Sequence, residues 1–246
     1  MLVAYFDESG THGKKSRLVT VAGLIGDSTD WARIEPPWKR RLGDIACFHA
    51  TDCAASKKGF AHLSEPACAL LSSDLAALIA NRALVPIGVS VYMDEWEYAA
   101  SSEMKAQYRT PYHFCLSVAI LLACQASGHG DPVAFVFAEQ REYEDYSRAI
   151  HEVFSQNFEG IGSLSFAKPE CVIPLQAADL YAYETYRELL TQPKTPGMSG
   201  PARPDMKTIC RALRTISIFA GIEMLHRSAD AMDVLKLATE GTPPMA

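Results

Sequence analysis

The sequence predicts a mixed α/β domain, one sheet with helices on both faces, and three observations carry that prediction. The chain opens with short apolar, strand-like runs. The remainder alternates helical and strand-like segments. No internal repeat or composition break divides it into two folding units. At 246 residues, 48% hydrophobic and 21% charged, the chain can bury a sizeable core.

Taken in order, Leu2–Asp7 is apolar and aromatic, and Arg17–Gly26 is rich in Val, Leu and Thr. The turn-rich Ser9-Gly10-Thr11-His12-Gly13 between them predicts a hairpin. Trp31 to Arg41 is amphipathic, with Pro36-Pro37 expected to break it. Ile45–Ala50 reads as a third strand. Ser64–Arg82 carries leucines at helical spacing, with Ser64 as N-cap. A strand follows over Leu84–Met93, then a long apolar helix over Thr110–Ala126. Val133–Phe137 reads as a strand, Tyr143–Phe158 as a helix, Ser163–Ala167 as a short strand and Pro174–Leu190 as a helix with proline in its first turn. Gln192–Pro204, with four prolines and two glycines, reads as a loop, and Asp205–Ala220 and Ser228–Ala238 as further helices. The expected organisation is an α/β domain over residues 1–190, with residues 191–246 forming a proline-rich loop and helical extension packed on it.

Composition excludes several function classes. Lys plus Arg is 23 and Asp plus Glu is 29, a net charge of −6, so a general basic coat for nucleic acid is excluded, though a local basic groove is not. The seven cysteines form no CxxC pair, so neither a disulfide frame nor a zinc site is expected. With no signal-like N-terminus and no apolar run near ~20 residues, the expectation is a cytoplasmic protein without a membrane partner.

Carboxylates recur where strands end. The first strand runs into Asp7-Glu8-Ser9-Gly10, at the sheet edge where open α/β sheets place ligands. Strand alternation predicts that Asp7 and Glu8 point to opposite faces, and so that they do not both face one site. Val133–Phe137 leads through Ala138 into Glu139, and Asp94 closes Val85–Met93 in the same way, competing for the same role. Within Leu175-Gln176-Ala177-Ala178-Asp179-Leu180, Gln176 and Asp179 share a helix face, and the two alanines let that helix approach the sheet. Each acid alone reads as readily as a solvated turn or helix face. Together they can converge on one edge, where close carboxylates need a compensating cation. Mg²⁺ or Mn²⁺ suits oxygen donors, and a pair of such ions can activate a water and stabilise a leaving oxygen in phosphodiester cleavage. Gln176 would ligate or orient a carboxylate. His49, in Phe48-His49-Ala50-Thr51-Asp52, reads as a general acid or as a strand histidine hydrogen-bonded in place, and His12 is a second candidate. Basic residues at 14–17, 39–41 and 57–58, with Lys207, Arg211 and Arg214, would form a phosphate track if folded together, with Trp38, Tyr108 or Tyr112 for stacking.

"YFDESG" at 5–10, "FHATD" at 48–52, "FAEQ" at 137–140 and "LQAADL" at 175–180, in this order over residues 2–190, resemble the family called domain of unknown function 3800. The resemblance implies a ribonuclease-H-like sheet of three early antiparallel strands followed by parallel ones, and a metal-dependent, nuclease-like centre acting on DNA or RNA. Asp7, Glu139 and Asp179 become candidate metal ligands. Glu8 joins them as a catalytic candidate, with Ser9, His49 and Gln176 in support. The sequence departs from the family where other members often carry Asp at or beside Ala138; here only Glu139 offers a carboxylate. Two other classes compete. One is a non-catalytic binding module on the same scaffold. The other is a haloacid-dehalogenase-like phosphotransferase with Asp7 as nucleophile, against which stands the absence of that family's glycine and second Asp around Leu175–Leu180.

Overall fold

The computed structural model describes residues 1–11, 16–127 and 131–191. His12, Lys14, Lys15 and everything after Thr191, including the predicted extension with Lys207, Arg211 and Arg214, lie outside the described residues. Strands β1 (Leu2–Ser9), β2 (Leu18–Asp27), β3 (Val85–Tyr92), β4 (Val133–Ala138) and β5 (Ile161–Ala167) form one sheet in the order β3-β2-β1-β4-β5. β1 pairs antiparallel with β2, and β2 with β3. β4 lies parallel to both β1 and β5. The sheet is therefore mixed, and the predicted α/β class holds.

Helices cover both faces. The helices α1 (Ser28–Leu42), α3 (Glu65–Ala80) and α8 (Ile173–Thr191) bury Trp31, Ile34, Trp38, Leu75, Ile79 and Leu180 with Ala22 and Leu24 of β2. On the other face, α6 (Pro111–Ala126) buries Phe114, Leu116 and Ile120 with Phe6, Val21, Val89, Phe135 and Phe137, and α7 (Arg141–Asn157) adds Ile150 and Phe154. Strand alternation decides which residues reach which core: Ala4 and Phe6 join the α6 core, and Val3 and Tyr5 the α8 core. Among the described residues no helix is long and apolar enough to cross a membrane.

Several helix ends follow their caps. The Ser64 hydroxyl accepts from the Ala67 amide at 3.4 Å, and that of Thr110 from the His113 amide at 3.3 Å, fixing the starts of α3 and α6. Three short helices were not expected: α2 (Ala50–Ala54), α4 (Met93–Ala99) and α5 (Ser102–Tyr108).

Two expectations are overturned. Pro36 and Pro37 do not break α1, which runs through them. Burial of Trp31, Ile34, Trp38 and Leu42 holds the helix, and Arg82 Nη2 donates to the Arg33 carbonyl oxygen at 3.3 Å, an acceptor that Pro37 cannot satisfy. Ile45–Ala50 is not a strand either. It runs as irregular chain into α2, because its buried amides are satisfied by side chains of α8 and not by a neighbouring strand. The antiparallel trio is completed instead by β3.

Candidate functional site

The site forms where β1 and β4 end. Their register keeps Phe6 beside Phe137, so the next residues of the two strands are Asp7 and Ala138. α8 crosses the other side of this edge. Its close approach is permitted by Ala177 and Ala178, both fully buried, and by Ala22 and Gly88 on the strands beneath; a Cβ on Gly88 would stand 3.3 Å from Thr185. The loop after β1 turns at Gly10, with φ +85° and its backbone so close to Leu18 and the Tyr186 ring that a Cβ would lie 2.1 Å from the Leu18 carbonyl oxygen. A cavity of about 940 Å³ opens there, lined among others by Asp7, Glu8, Ser9, His49, Glu139 and Asp179.

The structure gathers most of the sequence-predicted site residues into this one cavity. Asp7 and Asp179 are its most deeply set acids, 8% and 5% exposed. Alternation sends Asp7 towards α8 and Glu8 towards α6 and α7, but the expectation that the two would not face one site is overturned: both line the cavity, which wraps around the strand end. Glu8 is held there by the Gln140 amide, which donates to Oε1. Asp7 Oδ1 accepts from the Glu8 amide at 2.7 Å, and Asp179 Oδ2 from the Ala50 amide at 2.7 Å.

Burial and neighbouring like charge dominate the electrostatics of the group. Burial drives the Asp7 carboxyl well above its ordinary value, and the neighbouring charges of Glu8 and Asp179 raise it further. Glu8 is pushed up to about 7, chiefly by burial. Asp179 is pushed up to about 6 by burial, with His49 and the Ala50 amide acting in the opposite direction.

Glu139 occupies the cavity wall on different terms. Its carboxylate faces Lys168 at 3.8 Å and Arg141 at 3.9 Å. The β1–β4 register runs without a shift, so the position level with Asp7 belongs to Ala138. Asp94 is exposed in the first turn of α4 and does not line the cavity.

Gln176 plays a part other than the one predicted. Its Oε1 accepts from Trp38 Nε1 and from the Phe48 amide, both at 3.0 Å, and its Nε2 donates to the Pro169 carbonyl oxygen at 2.9 Å. With its amide engaged on both sides, Gln176 pins the 48–50 segment to α8 instead of ligating a metal. Gln176 and Asp179, one helical turn apart, thus accept from amides two residues apart in the segment. This docking places His49 at the lip of the cavity, where it caps α2 and its Nδ1 stands 3.1 Å from Asp52 Oδ2. Comparison with known protein families and with curated protein sequences returns no match for this chain.

Among the described residues the predicted basic track does not form at the site; Lys14, Lys15, Lys207, Arg211 and Arg214 lie outside them. Arg41 pairs with Asp74 at 2.6 Å, Lys58 with Asp52 at 2.9 Å and Lys39 with Glu35 at 3.9 Å, and none of the three lines the cavity. Trp38, Tyr108 and Tyr112 are buried in the cores and have no face for a base. Sequence reasoning missed Tyr183, Tyr186 and Arg187, which line the cavity from α8. Their spacing of four, seven and eight residues from Asp179, one face of a helix, was the available signal.

Proposed function

We propose that this protein is a divalent-metal-dependent phosphodiesterase acting on nucleic acid, DNA or RNA, on a ribonuclease-H-like sheet of the kind found in the domain of unknown function 3800 family. The observation that carries the reading is the placement of Asp7 and Asp179, from opposite ends of the described chain, in one cavity where each is buried against like charge. The strand order and the antiparallel-then-parallel pairing support the scaffold assignment.

The donor set fits a hard cation. It consists of buried carboxylate oxygens close to like charge, with no lysine in the cavity lining among the described residues. Among the described residues no group of three or more His, Cys, Asp or Glu side chains is placed to hold a metal ion, so any ion would rest on fewer protein ligands. Mg²⁺ commonly binds through one or two carboxylates, with waters and substrate phosphates completing its shell. Asp7 and Asp179 would hold the ion, with Glu8 beside them, and Glu139 would join only by leaving Lys168 and Arg141. An ion bound there supplies Lewis-acid stabilisation of phosphate oxygens and acidifies a coordinated water.

The chain's own groups do the rest. The Ala50 amide fixes the Asp179 carboxylate, and Gln140 fixes Glu8. When protonated, His49 gives up its cap on α2, donates Nδ1–H to Asp52 Oδ2 and delivers its Nε2 proton to a leaving oxygen from the lip. Among the described residues the cavity lining contains no lysine, which weighs against the phosphotransferase reading, whose family requires one.

The test is cleavage of labelled single- and double-stranded DNA and RNA with Mg²⁺ or Mn²⁺, with Asp7→Asn and Asp179→Asn proteins purified in parallel. Metal-dependent cleavage lost in both supports the proposal, and cleavage retained in both assigns it to a contaminant. The ion pairs that occupy Glu139 favour a second reading, a non-catalytic binding module. It replaces the first if neither substitution alters metal affinity or activity.

A further inference from the structure

The walls of the cavity carry a feature that the acid cluster does not use. Asp179, Tyr183 and Arg187 stand at successive four-residue steps on α8, so they form one stripe rising about 12 Å from the cavity floor. Arg187 Nη1 donates to the Tyr183 hydroxyl at 2.8 Å, and its guanidinium lies 5.6 Å from the Tyr183 ring centroid. Tyr183 is only 9% exposed and holds the guanidinium from a fixed base. Among the described residues no carboxylate lies within ion-pair distance of Arg187, although the cavity it lines is predominantly acidic. Arg41, Lys58 and Lys105, by contrast, each have an acidic partner. A preorganised guanidinium with no carboxylate partner among the described residues, facing a cavity, is suited to an external anion, and its planar fork matches phosphate oxygens.

The cavity also constrains the form of the substrate. A volume of about 940 Å³ lies near the upper end of pockets that enclose small ligands, about 300–1,000 Å³. Its two floor acids, Asp7 and Asp179, are almost fully buried, out of reach of a phosphate on the surface of an intact duplex. Tyr186, half-buried against Gly10, offers an aromatic surface in the same wall, suited to a single unstacked base.

Resting on the phosphodiesterase reading, we propose that Arg187, positioned by Tyr183, grips a backbone phosphate of a single-stranded nucleic acid that enters this cavity along α8. The experiment is fluorescence anisotropy of a labelled single-stranded oligothymidylate with the full-length protein in EDTA, which prevents metal-dependent cleavage. Arg187→Gln should weaken binding about tenfold or more, and reduce the slope of log affinity against log salt by about 0.7, the contribution of one single-strand phosphate. Arg187→Lys should recover the salt slope but only part of the affinity, and Tyr183→Phe should cost about two- to fivefold. Arg148→Gln, whose guanidinium sits over the Phe166 ring outside the cavity, should change neither quantity.

The inference is overturned if wild type does not bind the strand, if Arg187→Gln and Arg187→Lys both bind as wild type does, if Arg148→Gln matches the loss, or if a duplex binds as tightly. Circular dichroism of each variant separates lost binding from lost folding. Arg187-dependent binding without cleavage would sink the catalytic reading and leave this one standing. Cleavage that is indifferent to Arg187 would do the reverse.

Discussion

The floor and the rim of the cavity are both acidic, but they solve the problem of charge in opposite ways. At the rim, Glu139 faces Lys168 and Arg141, all in contact with solvent, and the pairing satisfies it within the protein. At the floor, Asp7 and Asp179 accept from the backbone amides of Glu8 and Ala50, at 2.7 Å each, and the charge of Asp179 raises the Asp7 carboxyl further. Buried like charges without a counter-ion destabilise the fold that contains them. A site that keeps such charges is suited to binding something positive, whereas a site that neutralises its own is not. The contrast separates two acids that look equivalent in sequence, each closing a strand.

The largest effect should come from the floor. Asp179→Asn is expected to reduce metal-dependent cleavage by at least about 100-fold, since even partners that only orient metal ligands commonly cost 10- to 100-fold. Steady-state assays on labelled oligonucleotides would show it, and a loss under threefold would remove Asp179 from the chemistry. Gln176→Ala comes next. It leaves Trp38 Nε1 and the Phe48 amide without their acceptor, both in the buried interior, at an expected cost of about 2–4 kcal/mol in urea unfolding. The 48–50 segment should loosen with it, so hydrogen exchange at the Phe48 amide should accelerate.

The pH dependence of stability follows from the direction of the shifts. Asp7, Glu8 and Asp179 all titrate higher in the folded protein than in the unfolded chain. Their stabilising contribution is therefore complete below the unfolded values, near pH 4, and is lost as pH rises through about 6 and 7. Melting temperature in EDTA should fall between pH 5 and pH 8. Mn²⁺ at pH 8 should restore it in wild type and not in Asp7→Asn. A flat profile would mean that the floor carboxylates are compensated within the protein. The smallest effect belongs to the rim: Glu139→Gln should leave the Mn²⁺ shift in melting temperature intact and change stability by under about 1 kcal/mol. A loss of the Mn²⁺ shift in this variant would erase the distinction between floor and rim.

What the sequence determined by itself was whatever depends on neighbours along the chain. The apolar runs of β1 and β4, the caps Ser64 and Thr110, the apolar surface of α6 and the small residues of α8 were legible because strand alternation, helix periodicity and capping are local effects. The expectation that strand-end acids and Asp179 would converge on one edge came from the same kind of reading, whereas the choice of Asp7, Glu139 and Asp179 followed from the family resemblance, and the cavity contains all three. Only the tertiary structure decided that Phe48 and Ala50 donate their amides to α8 and form no strand. Residues 48–50 have a strand-like composition, and the acceptors that override it lie 128 and 129 residues away. It also decided which acids remain uncompensated and that Tyr183 and Arg187 face the same space as Asp179. Burial, counter-charge and desolvation arise from what surrounds a group in three dimensions, and that neighbourhood is assembled from segments distant in the chain.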